Sequence, residues 1–533
     1  MNINSLFRDK LLKVWNDVKF RIAVISTMII CLIAHAYSYF NITLAHDRMT
    51  YFMEPVYDSA ARAKWFAQIL DMLTAFAYVP WLFGLLTMVF LAISVYLIVK
   101  ILEIRNAFSI VIVAGLCVTN FSVLGAHFYW PHELVAALPM ACLSAWFWTK
   151  KEWSIVIRVF GELFFVGLSL ATYGAYTSVA PTLVLLVCVT ELIKGEEWKN
   201  VLRRGSEYIV TFFAGMAFYY IVQRALLYFQ GIQLFNYMGE NKLVEGVSLF
   251  EIIEYILLAY WKTIKYYLGV YNGFIEAMPP VLARVILIFG LVLFLYIIIK
   301  NHKKIKNIGA WILLLLLLAA APLSIGLIYV MSFGNVHYLM IFTFVLIYIY
   351  MVKLAEEAVE LFDTDRISKA VKYVPTVLLM LLLFWNCRST LICNMAYTRL
   401  ESVYNVSQSV ATRVLDRIES CQGFEGTEYV VFVGDLSQSE YFLGGQNAGR
   451  DYLNYFDNMG PVDKKNIDGF TQMNTMYEFL ENVMGFDLFM GSYSKKMYSK
   501  EENAAIFQMP TFPADGSVKK IRDTIVVKLC DVE

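Results

Sequence analysis

Three consecutive polar residues, His46, Asp47 and Arg48, are the group in the sequence with the clearest chemical potential. A carboxylate beside a guanidinium can accept a proton from an attacking hydroxyl while the cation holds a phosphate group. The same group also suits a charged helix end that faces water, and the sequence leaves both interpretations open. We take Asp47 as the candidate catalytic base, with His46 and Arg48 as candidate substrate-binding residues.

Further candidate binding residues lie where apolar segments end. SAARAKWF supplies Arg62 and Lys64, and IVQRALLYF supplies Arg224. Such cations either bind phosphate or extend to the membrane interface beside aromatic residues, which is the commoner behaviour. Other polar side chains are predicted at the same depth: Tyr129, His132, Glu133, Tyr173, Tyr176 and His337. Each alone suits packing or an aromatic belt, but we include Tyr173, Tyr176 and His337 in the predicted substrate site.

Motifs for metal, nucleotide and serine-based chemistry are missing from the sequence. It contains no CxxC pair, no HExxH, no P-loop, no GxGxxG before a helix and no GxSxG. Hydrolysis by a metal ion or a serine triad therefore has no support. No metal ligands and no cofactor are predicted, and a metal requirement stays open.

The surroundings of these residues are those of a polytopic α-helical membrane protein. Of 533 residues, 59% are hydrophobic and 17% are charged, whereas soluble domains carry about 25% charged residues. The mean hydropathy is +0.58. This composition excludes a soluble enzyme, a disordered chain and a fibrous repeat. The 44 basic residues balance the 44 acidic ones, so nothing favours nucleic acid as a partner.

About eleven transmembrane helices are predicted, since a bilayer core about 30 Å thick requires roughly 20 apolar helical residues. They are 22–40, 80–99, 107–127, 132–149, 154–172, 175–193, 208–229, 282–299, 309–330, 337–353 and 374–392. The first follows a basic arm but lacks a convincing A-x-A cleavage site. We therefore expect it to be retained rather than removed as a signal peptide.

Lysine and arginine are concentrated in alternate connections between these segments. The positive-inside rule then places the N-terminus in the cytoplasm and the C-terminal segment outside. Residues 65–78 and 248–272 are amphipathic, and the second segment carries four charged residues that are costly at the bilayer centre. We expect both to be surface helices within outer loops 41–78 and 230–280 of a transmembrane domain, residues 1–393.

Residues 394–533 have the composition of a small α/β domain outside the membrane. Helices are predicted at 406–420 and 474–484, and strands at YVVFVG (429–434) and TIVVKL (524–529). Cys421 and Cys530 both belong to this domain. In an oxidising compartment they either form a disulfide or remain two thiols, and the sequence does not decide between these states.

The order of these features along nearly the whole chain resembles the GtrII-type glucosyltransferases. The first span is followed by His46-Asp47-Arg48, and Ala63-Lys64-Trp65 opens the amphipathic helix. The turn TYGAYTS follows at 172–178, and MPTFPADGSVKKIRDTIVVKL closes the pattern at 509–529. Relative to the family, His46 replaces one of two paired acids, Ala63-Lys64 replaces a Gly-Arg pair and Gly174 replaces a glutamine.

The resemblance implies a GT-C-like fold and a multi-pass enzyme of the bacterial cytoplasmic membrane. Such enzymes transfer a hexose, here glucose by family name, from a polyprenyl-phosphate-linked sugar donor to a polysaccharide or glycan acceptor outside the cytoplasm, as in O-antigen modification. The lipid bilayer is then a partner as well as the location. The resemblance assigns the catalytic carboxylate to Asp47 and phosphate binding to Arg48, with inversion in a single displacement.

Two other classes of function compete with this one. A lipid-linked sugar flippase or polysaccharide exporter would show charged residues at mid-membrane depth and paired half-sequences with broken helices. Neither is clear in the sequence. A polysaccharide polymerase or ligase would share an outer-face site but use diphosphate-linked donors.

Overall fold

A computed structural model describes residues 14–43, 45, 49, 61–73, 79–234, 248–270, 279–362, 372–436, 470, 473–486 and 488–531. The predicted residues His46, Asp47 and Arg48 lie outside the described residues. The chain divides into two compact units. Unit 1 comprises Met1–Phe40, Val56–Asn272 and Glu276–Cys393, and unit 2 comprises Asn41–Pro55, Gly273–Ile275 and Asn394–Glu533.

Unit 1 is helical throughout its described part. Its helices are α1 (Val18–Phe40), α2 (Trp65–Leu73), α3 (Pro80–Ile101), α4 (Ala107–Val118), α5 (Phe121–Phe128), α6 (Pro131–Thr149), α7 (Ile155–Tyr173), α8 (Val179–Lys194), α9 (Trp198–Gln230), α10 (Leu249–Tyr267), α11 (Pro280–Asn301), α12 (Ile308–Ile325), α13 (Leu327–Met331) and α14 (Val345–Phe362). Helix α15 (Val374–Glu419) begins in unit 1 and ends in unit 2.

Seven helical stretches of the described chain are long and apolar enough to cross a membrane, or eight if the bent pair α4–α5 is one span. The protein is therefore a polytopic helical protein. One of the seven, the 40-residue stretch Ile155–Lys194, contains both α7 and α8, joined by a 3-10 turn at Gly174–Ser178. The chain reverses there, because Lys151 Nζ, just before α7, lies 3.0 Å from Glu191 Oε1 near the end of α8.

Three predicted spans are interrupted in the structure, and the one at 309–330 breaks at Gly326 between α12 and α13. The span at 107–127 is bent by 45° between α4 and α5. Asn120 causes a local restart of the helix, since its side chain accepts a hydrogen bond of 2.8 Å from the Ser122 backbone N–H. The span at 337–353 starts with two 3-10 turns, Tyr338–Met340 and Phe342–Phe344, so the α-helix begins only at Val345. Hydropathy alone does not report such breaks.

Three connections that contain or adjoin lysine or arginine lie together at one end of unit 1: those that follow α3, α6 and α8. Lys194 Nζ, at the end of α8, is 3.0 Å from Glu103 Oε2 in the connection that follows α3. One turn earlier on α8, Glu191 pairs with Lys151 and, at 2.9 Å, with Arg204 of α9. We call these five residues the charged end. Their clustering shows that three separate connections share one end of the helix bundle.

The amphipathic segment predicted at 248–272 forms helix α10. Ser248 and Glu251 cap its N-terminus reciprocally. Ala259, Thr263 and Tyr267 recur at every fourth position and are buried on one face. The opposite face exposes large apolar side chains: Leu249, Phe250, Ile253, Leu257, Trp261 and Ile264. The location of α10 on the outer membrane surface stays a prediction.

Unit 2 contains a four-stranded sheet in its described part. The strands are β1 (Tyr429–Val433), β2 (Met490–Ser492), β3 (Val518–Ile521) and β4 (Thr524–Lys528). Their order is β2-β1-β4-β3, with β1 parallel to β2 and β4 and with β3 antiparallel to β4. Both strands predicted from the sequence are present. The predicted helix at 406–420 is the last part of α15, and the segment at 474–484 forms α16 (Met473–Glu478) followed by π-helical residues Phe479–Val483.

The sheet of unit 2 is covered on both faces. Successive side chains of a strand point to opposite faces. Accordingly, Phe432 and Val527 pack with Val414 of α15, whereas Val433 and Val526 pack with Ile506 of α17 (Lys500–Gln508). This burial on both faces explains the unbroken apolar runs of β1 and β4. Cys421 and Cys530 are unpaired thiols. The position of this unit outside the membrane stays a prediction.

Candidate functional site

Three buried ionisable side chains lie together in unit 1. Asp71 of α2 and His132 and Glu133 in the first turn of α6 are at most 8% exposed. Asp71 Oδ1 is 3.3 Å from His132 Nε2, and one ligand atom from each of the three residues lies within 4.8 Å of the others. We call these three residues the acidic cluster. Within the described ranges it is the group of side chains close enough together for a metal ion to bind between them.

The acidic cluster lies at the opposite end of unit 1 from the charged end. Helix α6 runs from Pro131 to Thr149 and finishes next to Lys151 of the charged end. At 1.5 Å per residue the helix is about 28 Å long. Helix α7 runs in the return direction, so its last residue, Tyr173, also lies at this far end. We call it the site end.

Helix α3 fixes the orientation of the His132 ring. Phe83 stacks on that ring with the centroids 3.9 Å apart and the planes inclined by 19°. The next residue, Gly84, faces Tyr39 in the last turn of α1, and a Cβ atom at Gly84 would lie only 2.3 Å from the Tyr39 ring. The absence of a side chain therefore lets α1 and α3 approach closely beside the acidic cluster.

A turn before α2 carries a cation, Lys64, whose charge acts on Asp71 and Glu133. Lys64 Nζ lies over the ring of Tyr173, 5.6 Å from its centroid. The preceding residue, Ala63, has a φ of 61°, in the left-handed region that favours glycine. Its carbonyl oxygen accepts a 2.9 Å hydrogen bond from the Tyr219 hydroxyl of α9. Helix α9 thus holds the strained turn that positions Lys64.

Burial and charge act in opposite directions on the acidic cluster. Burial raises the pKa of Asp71 to about 6, although a hydrogen bond with Glu133 and the nearby Lys64 ammonium oppose the rise. A hydrogen bond between two carboxyl groups requires a proton on one of them. Two carboxyl groups in contact therefore share a proton or need a cation, because two adjacent buried charges of like sign repel.

The structure brings together only part of the predicted substrate site. Lys64 and Tyr173 are in contact beside the acidic cluster. Arg62 is half-buried in the turn that precedes α2. Tyr176 is fully buried, and its hydroxyl is 3.1 Å from Ser122 Oγ. Its ring packs edge-on against the Tyr173 ring, with the centroids 5.2 Å apart.

No contact described in the structure joins two other predicted residues, Arg224 and His337, to this group. Arg224 is exposed, and its Nε donates a 3.0 Å hydrogen bond to the Tyr220 hydroxyl one turn earlier on α9. His337 is exposed and precedes a 3-10 turn. The described contacts give neither residue a place in the acidic cluster. His46, Asp47 and Arg48, the first three candidates, fall outside the described residues, so their predicted roles are carried forward as proposals.

Asp71 is a candidate site residue that the sequence analysis does not identify. The available signal was its position as the only acid in WFAQILDMLTAFAY, a segment otherwise almost entirely apolar. An acid retained in such a helix needs a polar partner. His132 and Glu133 were noted, but their significance depends on α2 packing against α6, which the sequence does not reveal.

Comparison with known proteins adds one finding. The family model described as Glucosyl transferase GtrII matches residues 36–348. This range includes the acidic cluster, Lys64 and Tyr173. No curated protein and no solved structure matches the chain.

Proposed function

Because the chain belongs to the GtrII glucosyl transferase family, we propose that it transfers glucose from a polyprenyl-phosphate carrier to a glycan acceptor. Family membership implies a glucosyltransferase. The carrier, the acceptor class and the mechanism are our proposal. A multi-pass helical protein suits a lipid-linked donor, since the hydrocarbon tail of the donor stays in the bilayer while its sugar-phosphate group reaches the bundle end.

The observation that carries this proposal is the pairing of Lys64 with Tyr173 beside the acidic cluster. An ammonium group is a phosphate-binding point charge, and an aromatic ring offers an apolar surface for a sugar ring. Buried carboxyl groups nearby can interact with sugar hydroxyls. A cation, an aromatic ring and carboxyl groups at one end of a helical bundle together suit a sugar phosphate.

Two described residues of unit 1, Tyr39 and Ala63, flank the part of the chain that contains Asp47. Tyr39, in the last turn before the segment, packs against Gly84, next to the Phe83 ring that stacks on His132. At the other end of the segment, Ala63 is bonded to Tyr219, and Lys64 follows it. The contacts of these two flanking residues support a role for the first loop in the reaction.

The reaction is a single displacement at the anomeric carbon of the donor. An acceptor hydroxyl oxygen attacks that carbon, its proton passes to the Asp47 carboxylate, and the bond between the anomeric carbon and the phosphate oxygen breaks. Polyprenyl phosphate leaves with the bonding electron pair, and Arg48 and Lys64 stabilise its negative charge. One attack from the opposite side inverts the anomeric configuration.

The remaining predicted residues have lesser roles in this proposal. Arg62 adds positive charge next to Lys64, His46 contacts the acceptor, and Arg224 and His337 contact the donor or acceptor at the periphery. Tyr176 holds Tyr173 in place. We further propose that the site end faces the extracytoplasmic side and the charged end faces the cytoplasm, in keeping with the positive-inside rule.

The test is glucose transfer by membranes that contain the full chain, supplied with labelled polyprenyl-phosphate glucose and a glycan acceptor. We expect Asp47→Asn to lower transfer by about 10²–10⁴-fold, the usual contribution of a general base. Asp515→Asn is the matched control, because this carboxylate of unit 2 is fully exposed. A wild-type rate in Asp47→Asn would remove Asp47 from the mechanism, and transfer from nucleotide-linked glucose alone would remove the lipid donor.

A further inference from the structure

We propose that Asp71, His132 and Glu133 form a binding site for a divalent metal ion of the Zn²⁺ or Mn²⁺ class. The three residues supply one imidazole nitrogen and two carboxylate oxygens. This mixed ligand set suits both ions, whereas Mg²⁺ and Ca²⁺ prefer oxygen ligands alone. The inference concerns binding by this chain and does not depend on which sugar is transferred.

The distances within the acidic cluster match those of a metal site. Two ligands about 2.0 Å from a tetrahedral ion are about 3.3 Å apart, and Asp71 Oδ1 lies 3.3 Å from His132 Nε2. The third ligand atom comes from Glu133, and all three atoms lie within 4.8 Å of one another. Only a small side-chain movement is needed to close the triangle around one ion.

The backbone and packing hold the ligands in place before any ion binds. His132 and Glu133 are neighbours in the first turn of α6, which Pro131 starts. The Phe83 ring fixes the plane of the imidazole. Asp71 comes from a different helix, α2. A site built from two packed helices and a fixed ring loses little entropy on binding, as a pre-formed metal site requires.

Charge balance also favours a cation at this position. Asp71 and Glu133 are 6% and 8% exposed, so little water reaches their carboxyl groups. Lys64 supplies a single positive charge and already lies over Tyr173. A divalent ion placed among the three ligands would lie close to both carboxylates and balance their charge. Buried charges are normally paired or bound to metal.

Three protein ligands leave at least one position open on the ion. That is the arrangement of catalytic zinc sites, whereas structural sites use four protein ligands. In a role that rests on the proposed function, a phosphate oxygen of the donor occupies the open position. The ion then shares with Lys64 the stabilisation of negative charge on the departing polyprenyl phosphate.

The test is the metal content of the purified full chain in detergent, after equilibration with Zn²⁺ or Mn²⁺ and removal of free ion. We expect about one tightly bound ion per wild-type chain. His132→Gln and Asp71→Asn should each abolish stoichiometric binding. Glu162→Gln and His35→Gln are matched controls, because both residues are fully buried and lie outside the acidic cluster. Both control variants should retain the ion.

A second measurement covers the case in which a variant fails to fold. X-ray absorption of the wild-type metal complex should give one imidazole nitrogen and oxygen ligands at about 2.0–2.2 Å. In addition, excess Zn²⁺ should raise the thermal midpoint of the wild type, since a ligand that binds the folded state stabilises it. A sulfur-rich ligand shell, or no stoichiometric ion in the wild type, would overturn the proposal.

The outcomes separate this site from the proposed function. Asp47→Asn should lose transfer but keep its metal ion, because Asp47 is not among the ligands. A wild-type chain that binds the ion but transfers no glucose from the lipid donor would reject the proposed function and leave the metal site standing. A bound ion that persists in both His132→Gln and Asp71→Asn would reject the site instead.

Discussion

The two ends of unit 1 differ in how their charged side chains are paired. At the charged end each carboxylate faces a cation, as where Arg204 donates two 2.9 Å hydrogen bonds to Glu191. At the site end, Asp71 and Glu133 are in contact with each other and share the influence of one lysine, Lys64. The same helices, α6 and α7, extend from one end to the other.

This contrast distinguishes ion pairs that stabilise the fold from charged groups that a ligand could bind. A balanced ion pair has its electrostatic interactions satisfied within the protein, so a ligand gains little there. Two buried carboxyl groups in contact destabilise the fold when both are ionised, unless a cation lies close to them. Clusters of this kind are found at functional sites. We therefore expect a cationic or hydrogen-bonding ligand to gain more interaction energy at the site end than at the charged end.

The largest expected effect is on activity at the site end. Glu133→Gln should lower the rate of glucose transfer by about 10²–10³-fold, the usual loss when one electrostatic group of an active site is removed. Thermal unfolding should change little, because the substitution removes one of two like charges. Glu162→Gln is the control for loss of a buried acid elsewhere. A normal transfer rate in Glu133→Gln would show that the acidic cluster only stabilises the fold. The two ends of unit 1 would then not differ in function.

The next effect is on stability at the charged end. Arg204→Ala should lower the free energy of unfolding by about 3 kcal/mol, since it removes the buried partner of the half-buried Glu191 and the guanidinium stacked 4.2 Å from the Trp148 ring centroid. Breaking a buried ion pair usually costs about 3–5 kcal/mol. We expect the lower value because Lys151 still pairs with Glu191. Transfer per folded molecule should stay normal. Unfolding is measured in detergent, with the exposed neighbour Arg203→Ala as control.

The smallest effect tests the strained turn at the site end. Ala63→Gly should stabilise the protein by about 0.5–1 kcal/mol, because glycine adopts a φ of 61° without steric cost. Ala67→Gly makes the same chemical change within α2 and should destabilise by about 1 kcal/mol. Thermal midpoints of both variants decide the result. Equal destabilisation by the two substitutions would show that the turn carries no strain.

The helical membrane unit and the two longest strands of unit 2 follow from local sequence patterns. Apolar runs predict spans wherever a helix is continuous, and YVVFVG and TIVVKL predict strands because β-branched residues fill them. The interruption after Thr119 was missed, since Asn120 and its neighbours hardly change the hydropathy of the run. Side-chain capping and tertiary contact decide such breaks.

The candidate site was predictable only where its residues also stood out locally. Lys64 and Tyr173 attracted notice as a cation and an aromatic residue at segment ends, and the structure brings them together. Asp71 is a candidate because it contacts His132 and Glu133 of α6, about sixty positions later in the chain. No local sequence pattern links Asp71 to these residues. Asp47 was singled out by its neighbours and by family resemblance, and its role rests on the transfer assay.

Gly84 shows that a residue without chemistry of its own can control the geometry of the site. Its position sets the spacing between the last turn of α1 and the start of α3, and the adjacent Phe83 transmits that spacing to the imidazole. A single methyl group there would force apart two helices or rotate an aromatic ring. Inactivating substitutions in this protein should therefore include one that adds a single carbon and two hydrogens, with no change of charge or polarity.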